Sequence, residues 1–307
     1  FEILWFRAAS LALGNSVWSA AVVTAAFMAG LGLGNLIAAM VHRRIRDAIR
    51  VYVWVELGIA VFGLGSFLLL FRGQSGLAAL LAPWHDHSVL LQVLRSGLAL
   101  FILIVPATCI GLTLPLLLGV ETRRPTTFGT RLAWLYAWNT LGAVVGSLLA
   151  EFVLIDAHGL FGTVVIASGC NVAAALLVWR MNRDHVKPAA PAPAPALAAR
   201  TPTAKFAIPL RSRTLLGAAL LSGFNLLALE ILWFRFLQLF FNGTSKTFAI
   251  MLALVLAGLS LGGVLAARLC RRGSRPGLIR TFYLIAGAYV VFSYAGLPHF
   301  QDWAAVL

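Results

Sequence analysis

A six-residue phrase occurs twice in this chain, and its recurrence constrains the architecture before anything else does. Glu2-Ile3-Leu4-Trp5-Phe6-Arg7 returns as Glu230-Ile231-Leu232-Trp233-Phe234-Arg235, 228 positions later and without a gap. Over Phe1–Arg44 against Leu229–Arg272, 18 of 44 aligned positions are identical. The match closes with Ala29-Gly30-Leu31 on Ala257-Gly258-Leu259 and Arg43-Arg44 on Arg271-Arg272. An internal repeat of this length means that one structural unit was built twice.

The repeated unit is apolar, and so is nearly everything around it. Nine segments approach the roughly 20 residues a helix needs to cross about 30 Å of hydrocarbon. The first ends near Leu13, and the next run over about Val17 to Val41, Val51 to Phe71, Gly97–Leu118, Leu132–Ile155 and Leu160–Trp179. After a break come Leu215–Phe241, Thr247–Ala267 and a ninth from Ile279 towards Leu297. The alternation of a barrel strand is missing, so the segments are read as helices. With 61% hydrophobic and 11% charged residues, the expected fold class is an all-α polytopic membrane protein.

A net charge of +14 would point to nucleic acid in a soluble domain. Here it has a simpler source, because 19 of the 24 Lys and Arg fall in four regions: His42–Arg50, Arg123 to Arg131, Arg180 to Arg213 and Arg268 to Arg280. These lie on alternate loops of the nine-helix count. The positive-inside rule places them in the cytoplasm, facing anionic headgroups, and makes a bacterial inner membrane the expected location. No nucleic-acid partner is expected.

Three stretches follow: 1–181 as a first membrane repeat of six helices, 182–213 as a linker, and 214–307 as the first three helices of a second repeat. The linker holds six of the twelve prolines, in a Pro/Ala-rich run that reads as extended and cytoplasmic. Both copies begin with a helix leaving the cytoplasm, so the repeats are parallel. Two parallel halves joined by a cytoplasmic linker is a major-facilitator-like layout, with the second repeat incomplete and the start of the first lying upstream of Phe1.

Candidate functional residues are polar groups that an apolar helix would otherwise exclude. Four of the ten acidic residues, Glu2, Glu56, Glu151 and Glu230, fall inside expected helices. A carboxylate at mid-bilayer costs about 2.5–3.5 kcal/mol on insertion scales and so demands a partner or a wet cavity. Glu230 lies about 25 Å along its helix from Arg213 at 1.5 Å per residue, towards the outer leaflet. Arg235 is five residues beyond it and roughly 140° around the helix, a poor in-helix pair. The same holds for Glu2 and Arg7, so each group is expected to meet a neighbour on another helix. One reading makes Glu2 and Glu230 a pseudo-symmetric pair facing a cation pathway. The other makes the hexads outer-leaflet anchors, with Trp5 and Trp233 in the interfacial belt and the arginines snorkelling. Glu56 has no repeat counterpart, since Leu284 stands 228 residues on, and it is a candidate for an asymmetric role.

Glu151 follows Asn139 in a run where Gly142 and Gly146 suit close helix contact and Asn139 can hydrogen-bond across helices. Gly30-Leu31-Gly32-Leu33-Gly34 and Gly258-Leu259-Ser260-Leu261-Gly262 are likewise packing ridges. No strand precedes them, so they are not dinucleotide loops. His85-Asp86-His87 reads as a solvated loop before a metal site. Cys109, Cys170 and Cys270 have no pairing or metal spacing. No catalytic set, metal site or cofactor loop is apparent.

Three motifs carry a family resemblance: Ser222 to Arg235 with its echo at Phe1–Arg7, Gly111-Leu112-Thr113-Leu114-Pro115-Leu116, and Leu135 to Gly146 running on to Phe152-Val153-Leu154. Together they resemble the membrane domains of spermidine-synthase-like proteins fused to a major-facilitator-like region. The resemblance implies a soluble aminopropyltransferase-like partner domain, with a glycine-rich loop for its nucleoside cosubstrate. No such loop occurs in residues 1–307, so no enzyme activity is assigned to them. It also implies a module that anchors such a domain or moves a related cargo, with a polyamine the natural match for buried carboxylates. The candidate ligand set is Glu2, Glu56 and Glu230, with Arg7, Arg235, Trp5, Trp233, Asn139 and Glu151 around it. A scaffold subunit of a larger membrane complex is the alternative.

Overall fold

The computed structural model describes residues 1–14, 16–45, 47–84, 86–121, 128–184, 210–240, 243–271, 281–282, 284–293 and 295–296. All regular structure among them is helical. The helices are α1 (Glu2–Leu13), α2 (Ser16–Val41), α3 (Ala48–Arg72), α4 (Gln74–Leu81), α5 (Ser88–Glu121), α6 (Phe128–Leu149), α7 (Ile155–Asp184), α8 (Leu210–Leu237) and α9 (Thr244–Arg271). A π-helical stretch, Ala150–Leu154, joins α6 to α7. A short apolar helix covers Leu284–Ser293.

Among the described residues, six stretches are long and apolar enough to cross a membrane. The difference from nine segments has identifiable causes. Helix α1 is only 12 residues long. The fifth and sixth segments run together as a single 51-residue stretch over Arg131–Met181. As one straight helix that stretch would be about 76 Å long at 1.5 Å per residue, over twice the hydrocarbon thickness. It is broken at Gly159, whose φ of 67° and ψ of −178° are non-helical. Only glycine enters that region without a Cβ penalty, so the expected division near residues 155–160 coincides with a chain kink. The ninth segment contributes only the short helix Leu284–Ser293, below spanning length, while most of the linker at 182–213, His85, Arg46, Arg123 and Arg124 lie outside the described residues.

The helix boundaries follow local chemistry. Gly14 ends α1 in a left-handed conformation (φ 69°), returning its N–H to the Ser10 carbonyl at 3.1 Å. Asp47 starts α3 by accepting the Arg50 N–H at 3.0 Å. Helix α5 contains Pro106 and Pro115, which remove two ladder donors from its interior. The Thr108 and Thr113 hydroxyls, in the same stretch, donate to the Ile104 and Ile110 carbonyls.

Helix α1 sits at the centre of the bundle, touching α2, α3, α5 and α9. Eight of its twelve residues are buried, around the full circumference, as expected of a helix that is apolar on all sides. Trp5 is fully enclosed, stacks on Phe1 with ring centroids 5.6 Å apart, and points its indole N–H at the Gly63 carbonyl at 3.5 Å. The interfacial-belt position expected for Trp5 is therefore corrected: the first hexad is core. Phe6 stacks on Phe248 at 4.2 Å, and Phe234 meets both rings edge-on at 5.8 and 5.7 Å. Phe6 and Phe234 are the same position of the two hexads, and their rings touch.

Helices α2 and α5 pack through small residues. A Cβ at Gly111 would fall 2.6 Å from the Leu31 carbonyl oxygen, and Gly30 and Gly34 abut Ala107, Thr108 and Gly111 just as closely. The first glycine ridge is thus the close-contact surface anticipated for it. In the second only Ser260 makes such a contact, and Gly258 and Gly262 face open space among the described residues. Helix α9 instead meets α6 through Gly263 and through Ser260, whose hydroxyl donates to the Ala137 carbonyl at 2.9 Å. Gly142 and Gly146 also meet nothing among the described residues, where the close helix contact expected of them is not made. The groups that would press against them are absent from the described part of α6's surroundings, and Gly146 instead lines a cavity.

Candidate functional site

A cavity of about 390 Å³ lies between α1, α2, α5, α6, α7 and α9. Its wall is mostly aliphatic and aromatic, including Phe27, Ile110, Leu252 and Leu256, with Glu2 as its single acidic residue. Glu2 reaches it because α1 begins at the wall. The first turn of that helix, Glu2 to Leu4, forms one side, and the π-helical junction forms another through Ala150 and Leu154.

Glu2 is 9% exposed, and its Oε1 has no hydrogen-bond partner among the described residues. Glu230 is 1% exposed, and neither of its carboxylate oxygens has one. The two groups are brought towards each other by helix geometry. In each hexad Glu and Phe are four residues apart and share a helix face, so the Phe6–Phe234 contact turns Glu2 and Glu230 the same way. Glu230 stands on the α8 side and is not part of the cavity wall.

The arginines behave differently. Arg7 spans 144 residues of sequence to hold Glu151 in a two-pronged ion pair, Nε to Oε2 at 3.2 Å and Nη2 to Oε1. Glu151 is completely buried, and the π-helical stretch that carries it widens the backbone at that point. The expectation that Arg7 meets a group on another helix is met, and Glu151 is its counter-ion. Arg235, its counterpart, is exposed, and Trp233 is half-buried. Asn139 is exposed and does not contribute to the cavity. Glu56 is buried on α3, takes a hydrogen bond from the Tyr52 hydroxyl one turn earlier, and is also not part of the cavity wall.

The structure thus places Glu2 in the cavity wall, pairs Arg7 with Glu151, and leaves Glu56, Glu230, Asn139 and Arg235 outside that wall. Sequence reasoning missed the polar groups of the far wall, Ser147, Thr163, Cys170 and Asn171. Thr163 and Asn171 sit eight residues apart, on one face of α7, which was a signal available in the sequence. These groups are largely committed to their own helices. Ser147 donates to the Val144 carbonyl at 2.9 Å, Thr163 to Gly159 at 2.7 Å and Asn171 to Ala167 at 3.0 Å. No cluster of metal-ligating side chains occurs among the described residues.

Fold and site together define a class: an all-helical protein of membrane-spanning character with buried carboxylates beside a central apolar cavity. Two curated proteins are similar to it over about three-fifths of its length. One is a polyamine aminopropyltransferase of Oceanobacillus iheyensis, 24% identical over 187 residues, which are 61% of this chain and 33% of that protein. The other is polyamine aminopropyltransferase 2 of Streptomyces coelicolor, 31% identical over 188 residues, 60% of this chain and 32% of that protein. The chain therefore spans about a third of the length of the curated relatives it matches. No family model and no solved structure matches it.

Proposed function

We propose that this chain is the integral membrane module of a spermidine-synthase-like protein, and that it binds and passes a small organic cation of the polyamine class. One observation carries the reading: Glu2 and Glu230, contributed by two copies of one sequence phrase, are both buried with carboxylate oxygens that have no hydrogen-bond partner among the described residues, and Glu2 lines the cavity. An ionised carboxylate in such a setting costs several kcal/mol unless a cation or a proton neutralises it. Arg7 is committed to Glu151 and Arg235 faces outward, so neither fills that need.

The major-facilitator-like arrangement belongs to the same proposal. Helix α1 packs on α9 while α2 packs on α8, and Phe6 meets Phe234, as a two-fold relation between parallel repeats would require. Rocking of the halves about the Glu2–Glu230 centre would expose it to either side in turn. In this reading the Pro/Ala-rich linker is cytoplasmic, and the partner is a soluble synthase-like domain.

Flux of labelled putrescine or spermidine into proteoliposomes tests the proposal. Wild-type flux should fall at least tenfold in Glu230→Gln. Flux indifferent to that change would remove the carboxylates from the pathway.

The scaffold alternative draws on a separate observation, the broad exposure of α8 at Leu216, Leu220, Leu221 and Phe224. It requires a stable lipid-depth complex with another protein and no cation flux at all.

A further inference from the structure

We infer that the chain carries a second binding site, a pocket under α4 in which Arg95 takes the oxyanion head of a single-chain aliphatic amphiphile. It lies at the opposite end of α1 from the Glu2 cavity. The first turn of α1 lines that cavity, and its last turn, Leu11 to Leu13, lines this pocket. The two sites share a helix and no wall residue, so the inference stands apart from the cation-binding role proposed above.

The pocket holds about 190 Å³ and lies between α1, α3, α4 and α5. Gln74, Leu77, Ala78 and Leu81 recur at helical spacing, so α4 turns one face to it. Arg95 comes from α5, about 10 Å along that helix from Ser88 at 1.5 Å per residue. Among the described residues of the wall, Arg95 and Gln74 are the only polar side chains, and the rest are Leu and Ala.

Arg95 is half-buried and, among the described residues, makes neither an ion pair nor a side-chain hydrogen bond. Arg7 and Arg50, by contrast, each have a carboxylate. A guanidinium set against aliphatic walls keeps its desolvation cost until an anion takes its fork of N–H donors. Carboxylate and phosphate heads both match that fork, and the Gln74 amide supplies a further donor. The leucines define the rest of the ligand: they offer no polar group, so the body behind the head is alkyl. A cavity of about 150 Å³ admits a benzene molecule, so about 190 Å³ suits one alkyl chain of moderate length and excludes the paired chains of a diacyl lipid.

Calorimetry on the full chain in detergent micelles tests the inference with octanoate, octyl phosphate, octanol, acetate and inorganic phosphate. Partition into the micelle is common to all variants and cancels when they are compared. Octanoate or octyl phosphate should fill one saturable site at least about tenfold more tightly than octanol, which lacks the charge. Whichever of the two binds better tells a fatty acid from a phosphate-headed lipid as the source. Acetate and inorganic phosphate, without the methylenes, should bind at least about thirtyfold more weakly. Arg95→Gln should erase the preference for anions and leave octanol within about threefold of wild type, a change in preferred head group that a merely destabilised protein would not show. Arg72→Gln, the same loss of charge outside the pocket, should change nothing. Ala78→Phe keeps the charge, fills the space and should remove the site. Equal binding of octanol and octanoate, an anion preference that survives in Arg95→Gln, acetate binding as tightly as octanoate, or no saturable site at all overturns the inference and leaves the cation-binding function standing.

Discussion

Removing the arginine of the buried ion pair should damage this protein far more than removing the carboxylate. Glu151 is 0% exposed, whereas the Arg7 side chain retains 28% of its surface. In Arg7→Met the carboxylate is stranded in a site with no other counter-ion, and breaking a buried pair from that side costs about 3–5 kcal/mol. In Glu151→Leu the guanidinium is left part-exposed and can turn towards polar surroundings, so the loss should be nearer about 1–2 kcal/mol. The double variant Arg7→Met/Glu151→Leu restores neutrality with apolar groups of similar length. It should return to within about 1 kcal/mol of wild type, giving a coupling energy of about 3–7 kcal/mol between the two positions. Denaturant titration of all four proteins in mixed micelles, followed by tryptophan fluorescence, supplies the cycle. The fluorescence is bright enough for this, with nine tryptophans in the chain and Trp5 two residues from Arg7. Equal losses below about 1 kcal/mol in both single variants would mark an ordinary solvated pair and refute the reasoning.

Other expectations follow from packing and from the unpartnered acids. Gly111→Val should unfold or misassemble the α2–α5 contact, while Gly142→Ala should stay within about 0.5 kcal/mol of wild type, because only the first meets backbone at 2.6 Å. Thermal unfolding in detergent distinguishes them. Phe248→Ala empties the centre of a three-ring cluster and should cost about 3–5 kcal/mol in the same assay. Glu230→Gln removes an unpartnered buried charge and should raise stability by about 1–3 kcal/mol even as it abolishes flux, so a stability loss would count against the site.

Much of the fold was legible because lipid-length apolar runs leave few alternatives to helices. Residues 17–41, 51–71 and 247–267 were bounded to within a few positions of α2, α3 and α9. Helix α4 escaped notice because Gln74–Leu81 is too short to span and has no cap signature. The start of α5 at Ser88, nine residues before the expected Gly97, was hidden by Gln92 and Arg95, which interrupt the apolar run but not the helix. The site was legible in part. Position along a helix warned that Glu2 and Arg7 would not pair with each other, and it could not say that Arg7's partner would be Glu151, 144 residues away. Such a partner is fixed by which helices neighbour one another, and sequence periodicity carries no record of that. The two glycine ridges show the same limit. They are nearly identical as sequence, yet one packs its glycines against α5 while the other meets α6 through Ser260 and leaves Gly258 and Gly262 facing open space among the described residues.

The two hexads bear on how this sequence is preserved. Duplication produces two equal copies, and unequal surroundings then expose them to unequal selection. At Trp5 and Arg7 almost any replacement meets the neighbours that enclose them. At Trp233, half-buried, and Arg235, exposed, tight packing by the described residues imposes no such filter. The six letters nonetheless remain the same. Trp233 and Arg235 lack, among the described residues, the tight enclosure that holds Trp5, and two positions apart they face different sides of α8.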